Sequence, residues 1–107
     1  MNDKALLNAL GFSARAGAMI FGVTQICEAL SKKKREGKYP ILVIEAADTS
    51  ENTHKRITDR CSYYNVKHVR IDATIIELAT ALGKSSSVAA VALTDENLCR
   101  LAQKHLN

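Results

Sequence analysis

The run Ile41-Leu42-Val43-Ile44 limits what this chain can fold into more than any other stretch. Four consecutive apolar residues, three of them β-branched, leave no polar face. A strand here must therefore be covered on both sides. Pro40, just before it, donates no ladder hydrogen bond and suits a strand start or an edge. A second run, "VAAVAL" at 88–93, reads as a central strand of small residues.

Between these runs the apolar period changes from that of a strand to that of a helix. Leu6, Leu7, Leu10 and Ala14 predict a helix over 3–15, with Asp3 as a candidate cap. Gly17 breaks it, and Met19 to Phe21 form a short extended piece. Val23, Ile26, Cys27 and Leu30 repeat at i, i+3, i+4, i+7 and predict a second helix from Gly22 to about Arg35, with Gly37 as its stop. The cap-rich "DTSENT" precedes a third helix over 51–64, with Ile57, Cys61 and Tyr64 inward. "VKHVRI" alternates as a strand ending near Ile71. Thr74 and Glu77 make a capping box ahead of a fourth helix that packs Leu78, Ala79 and Leu82, and Gly83 stops it. "KSSS", at 84–87, is a polar loop. "TDEN" caps a last helix packing Leu98, Leu101 and Ala102. The order α-β-α-β-α-β-α-β-α predicts a sheet with helices on both faces. In 107 residues without linker or internal repeat, this is one domain spanning 1–107.

The formal net charge is +4, and "KKKREGK" at 32–38, with five bases and one acid, accounts for all of it. So local a cluster favours a polyanionic partner. It also suits a solvated helix end, where the macrodipole welcomes cations. Cys27, Cys61 and Cys99 are far apart and in no CxxC spacing, so they read as buried thiols in a reducing compartment. The start "MNDKALLNALGF" lacks the basic and apolar parts of a signal peptide. No run approaches the roughly 20 apolar residues of a membrane span. These features predict a cytoplasmic monomer.

Catalytic chemistry is not visible. His54, His68 and His105 fall on a helix, a strand and a tail, with no second ligand at metal spacing, so neither metal nor cofactor is expected. Ser85 to Ser87 lack a nucleophile elbow, and no glycine-rich phosphate motif occurs. Glu45 and Asp48 end the first apolar strand, where α/β sheets place sites. They read either as a small-ligand pocket or as acids that cap a helix or pair with a base. Binding chemistry is more visible. A helix starting at Gly22 offers unpaired N–H groups and partial positive charge to a phosphate, and glycine allows close approach. Thr24 and Gln25 project opposite the apolar stripe, and Gln25 can both donate and accept at a base edge. Arg15 and the 32–38 cluster would add phosphate contacts. Plain solvent exposure accounts for the same polar residues.

The strings "SARAGAMIFGVTQICEAL", "LVIEAADTSENTHKRITDRCSYYNV" and "ALGKSSSVAAVALTD" carry a resemblance over about residues 4–102. The chain resembles the kink-turn RNA-binding ribosomal protein family, L7Ae/L30e-like, in its small bacterial YlxQ-like branch. The resemblance implies a three-layer α/β/α sandwich with a four-stranded mixed sheet and five helices. It also implies a non-enzymatic protein that binds structured RNA, kink-turn or ribosomal, with the ribosome as a further partner. On this pattern the RNA-reading helix start is Gly22, Val23, Thr24 and Gln25, followed by Glu28; Lys32, in the 32–38 cluster, is a further candidate for a phosphate contact. The loop over flipped bases is Lys84, Ser85, Ser86, Ser87 and Val88. Kink-turn binders usually carry Asn, then Glu or Gln, then Lys along that helix; here the positions hold Thr24, Gln25 and Glu28. A carboxylate about 4 Å from a phosphate costs about 1 kcal/mol in water, and more where water is excluded. A protein-interaction adaptor on the same fold, without RNA, is the alternative reading.

Overall fold

The computed structural model describes residues 3–32 and 38–106. Five helices and four strands alternate: α1 (Asp3–Arg15), β1 (Met19–Phe21), α2 (Val23–Ser31), β2 (Leu42–Glu45), α3 (Glu51–Tyr63), β3 (Lys67–Arg70), α4 (Ile75–Ala81), β4 (Ala90–Leu93) and α5 (Glu96–Gln103). The sheet order is β1-β4-β2-β3. β2 and β3 are parallel, while β4 runs antiparallel to both β1 and β2, so the sheet is mixed. The two unbroken apolar runs are the two central strands, and every residue of β2 and β4 is buried.

Side chains alternate across a strand, and the core divides accordingly. Leu42, Ile44, Val91 and Leu93 pack on one face with Leu6 and Leu10 of α1, Leu78 and Ala79 of α4, and Cys99 and Ala102 of α5. Val43, Ala90 and Ala92 pack on the other with Ile26 and Leu30 of α2 and Ile57 and Cys61 of α3. The result is a three-layer α/β/α sandwich. One contact depends on glycine: a Cβ on Gly11 would lie 2.8 Å from the Ala81 carbonyl oxygen, so only glycine lets α1 and α4 approach this closely.

Local chemistry sets the ends. Ser50 accepts from Thr53 N–H, Asp95 from Leu98 N–H, and Thr74 with Glu77 forms the expected capping box. α4 stops in a Schellman turn: Gly83 takes φ +72, Lys84 N–H donates to Ala79, and Gly83 N–H donates to Thr80. α3 stops in the same way on Asn65, at φ 57, with Val66 N–H donating to Cys61. Asn tolerates this left-handed conformation better than most side chains. α2 departs from the sequence reading. It ends at Ser31, with Lys32 already extended at φ −89, ψ 157, rather than running to about Arg35. The predicted stop at Gly37, and residues 33–37 of the basic cluster, lie outside the described residues.

Candidate nucleic-acid interface

β1 leads into α2 through Gly22, whose N–H donates to the Ala90 carbonyl on β4. Its backbone, φ 90 and ψ 150, lies in a region open essentially to glycine alone. The turn therefore fixes where α2 begins, at the edge of the sheet. Gly22 has no side chain to cap the helix, and no acid sits in the first turn. Gln25 folds back over this start, its Oε1 2.8 Å from where a Gly22 Cβ would be.

The Schellman turn at Gly83 delivers the opposing wall. Beyond it Lys84 places its ammonium 4.1 Å from the centre of the Phe21 ring, a cation–π contact at the end of β1. An open groove results, lined by Ile20, Phe21, Gly22, Gln25, Lys84, Ser86, Ser87 and Val88. It has the donors that phosphate and base edges require: an uncapped helix start, an ammonium, an amide and two hydroxyls.

The fold thus unites six of the sequence-derived candidates, and treats the others differently. Thr24 and Ser85 are exposed but do not line the groove. Val23 is half-buried against the core and anchors the helix. Glu28 is exposed one turn further along α2. Lys32, at the far end of α2, borders a second and larger hollow, with Lys38 and Glu96 among its lining residues. It stands ten residues from Gly22, about 15 Å along a helix axis. Arg15 reaches back over Gly11 to the end of α4, outside the groove.

Val88 needs a correction. Named with the loop over flipped bases, it is instead 6% exposed and packs in the core with Leu42, Ile44 and Val91. The groove's aromatic is instead Phe21. The sequence carried a signal for it, a phenylalanine at a strand end immediately before the helix-starting glycine, though its contact with Lys84 spans sixty-three residues of chain.

Glu45 and Asp48 do not share a pocket. Asp48 is exposed and accepts from Ile75 N–H at 2.7 Å, holding the start of α4. Glu45 is 0% exposed and points toward α3. Thr49 donates a hydroxyl to it. His54 Nδ1 lies 2.8 Å from Oε1, His68 Nε2 lies 2.8 Å from Oε1, and Arg70 Nε lies 3.6 Å from Oε2. Burial alone would raise the carboxyl's pKa; the hydrogen bonds from Thr49, His54 and His68 outweigh it and hold the group below its ordinary value. So Glu45 pairs with bases and Asp48 caps a helix. Neither histidine was visible as its partner, since they come from α3 and β3. The three cysteines are buried, and burial pushes the Cys61 and Cys99 thiols up to about 11, leaving them unreactive near neutral pH.

The three-layer sandwich thus carries an open, donor-rich edge between the start of one helix and the loop before a central strand. Residues 4–102 match the model of the ribosomal protein L7Ae/L30e/S12e/Gadd45 family, and the chain belongs to that family. It is 30% identical over 87 residues to the RNA-binding protein YlxQ of Bacillus subtilis (strain 168), covering 81% of this chain and 80% of that one. The RNA-binding protein YlxQ of Enterococcus faecium is equally similar, at 30% over 87 residues, covering 81% and 79%. These matches place it in the YlxQ branch and among non-enzymes. Two solved structures share the fold. A Bacillus halodurans protein of unknown function superposes with a TM-score of 0.78 at 25% identity, over 92% of this chain and 93% of that one. The Giardia lamblia 15.5kD RNA binding protein does so at 0.73 and 21%, over 95% and 82%. Among the described residues, no helix is long and apolar enough to cross a membrane.

Proposed function

We propose that this chain is a single-domain, monomeric RNA-binding protein of the cytoplasm. It grips structured RNA, kink-turn or ribosomal, in the groove between the start of α2 and the loop 84–88. The observation that carries this reading is the convergence of Gly22, Gln25, Lys84, Ser86 and Ser87 on one edge, in a chain whose relatives are described as RNA-binding proteins. A phosphate would sit over the uncapped helix start, with Lys84 closing on it from the other wall. Gln25 would read a base edge splayed into the groove, and Phe21 would offer a ring once Lys84 moves to the phosphate. Recognition then rests on RNA shape and a few edges rather than on sequence.

Filter binding against a kink-turn duplex and a straight duplex tests this. The kink-turn should bind more tightly, and Gln25→Ala and Lys84→Ala should each weaken it by about tenfold, the equivalent of about 1.4 kcal/mol. Equal, weak and salt-sensitive affinity for both duplexes would sink the kink-turn reading. Failure to recover any crosslinked RNA from cells would sink RNA binding and favour an adaptor.

A further inference from the structure

We propose that Glu45, His54 and His68 form a binding site for one divalent transition-metal ion of the zinc class, unconnected with the groove. The three ligand atoms lie within 4.8 Å of one another and come from three elements, β2, α3 and β3. Glu45 is fully buried, and its Oε1 lies 2.8 Å from both His54 Nδ1 and His68 Nε2. The two rings are tilted by 48° with centroids 5.9 Å apart, so they do not stack; each turns a nitrogen toward the same Glu45 oxygen.

The donor set at that point suits a zinc-class ion. Two imidazoles and one carboxylate are the set that open zinc sites use, with water in the fourth position. Zinc bonds of about 2.0–2.1 Å in a tetrahedron separate neighbouring ligand atoms by about 3.3 Å. The two 2.8 Å carboxylate contacts must therefore open by about half an ångström, and the two ring nitrogens, within 4.8 Å of one another, must close to the same spacing, a shift of up to about 1.5 Å. His54 can make that movement, its side chain being 40% exposed, while His68 at 13% and Glu45 at 0% form the fixed part. The exposed side of His54 also gives the ion a way in and a place for water. Thr49 and Arg70 hold Oε2, which His54 Nδ1 also approaches at 3.0 Å, while Oε1 faces both imidazoles. Thr49 and Arg70 are themselves joined, Arg70 Nη2 donating to Oγ1 and to the carbonyl at 3.1 Å, so the carboxylate is already aimed by the outer contacts that metal ligands require.

The test uses the full chain stripped with a chelator and then titrated with Co2+, whose visible absorption reports coordination, and with Zn2+ in competition. One equivalent of Co2+ should give a saturable low-symmetry spectrum without thiolate charge transfer, displaced by Zn2+. His54→Ala and His68→Gln should each lower the affinity at least tenfold, and His105→Ala should not. Zn2+ at a hundred times its Kd should raise Tm by about 10 °C in the wild type and not in His54→Ala. Should His68→Gln fail to fold, His54→Ala, which changes a half-buried position at the rim of the cluster, decides alone. Absence of saturable binding, or affinity unchanged by His54→Ala, would overturn the site and leave the cluster a hydrogen-bond network.

Discussion

The first turn of α2 and those of α3, α4 and α5 solve the same problem in opposite ways. Every helix begins with N–H groups that lack an intrahelical acceptor. In α3, α4 and α5 the chain supplies one, from Ser50, Thr74 and Asp95, and adds Glu51, Glu77 and Glu96 to neutralise the dipole. In α2 it supplies Gly22 and no acid. Three starts are closed from within. The fourth is open at the edge of the molecule, with a lysine across from it. Such a difference is expected where an external anion completes the helix.

The largest contrast concerns how firmly each start is held. α3 is tied down by Ser50 and, through His54, by Glu45; the start of α2 is held by the Gly22 backbone on Ala90 and by Val23, with no side-chain cap. The Glu45 pKa is lowered from 4.5 in the fold, so its contribution to stability is full above that value and is lost as pH falls through the folded value. In chelator, the urea midpoint should fall steeply below about pH 4.5, and α3 amides should lose exchange protection before those of α2. Glu45→Gln should be less stable at neutral pH and should flatten that acid limb; a limb identical to wild type would show that Glu45 is not its cause. Gly22→Val comes next. Forcing a β-branched residue into φ 90 should cost about 1–3 kcal/mol in urea melts and displace the start of α2, abolishing RNA retention on filters. Undiminished RNA binding would show that the open start is not the contact.

Closing α2 from within breaks the comparison directly. Gln25→Glu places an acid in its first turn, as in the other three. It should stabilise the protein by about 0.3–1 kcal/mol while weakening RNA at least tenfold. The reciprocal change, Thr74→Ala, should cost about 1 kcal/mol of stability and leave RNA affinity unchanged. If the two substitutions had the same effect on RNA, the four starts would be equivalent and the distinction empty.

Which of these features the sequence reveals depends on how far apart their parts lie. The helices, the strands, the Thr74 capping box and the Gly22 start were legible because each is written within about ten neighbouring residues. Two central strands announced themselves by having no polar face. The end of α2 was misjudged because its apolar stripe stops at Leu30 and the lysines that follow extend no pattern. Groove members were nameable one at a time, but their convergence was not, for Phe21 meets Lys84 only through the β1–β4 pairing. Val88 looked available as a loop residue and is core because β4 is central. The Glu45 cluster was illegible for the same reason: its histidines are 9 and 23 residues away and meet it through the β2–β3 register and the docking of α3.

The smallest effect separates the open start from the helix behind it. Glu28 lies three residues beyond Gln25, about 4.5 Å along the axis, and is exposed. Bound RNA that reaches beyond the groove would pass it, and its carboxylate would oppose the phosphates. Exposure keeps that repulsion screened, so it should amount to about 1 kcal/mol at most and shrink with salt. Glu28→Lys should therefore tighten RNA binding severalfold at low ionic strength, with little gain near 1 M salt and no change in urea stability beyond a few tenths of a kcal/mol. Equal affinity at low salt would confine the contact to the first turn of α2 and the loop across from it. A gain that persisted at high salt would mean that position 28 makes a desolvated contact, and that the interface extends along the helix.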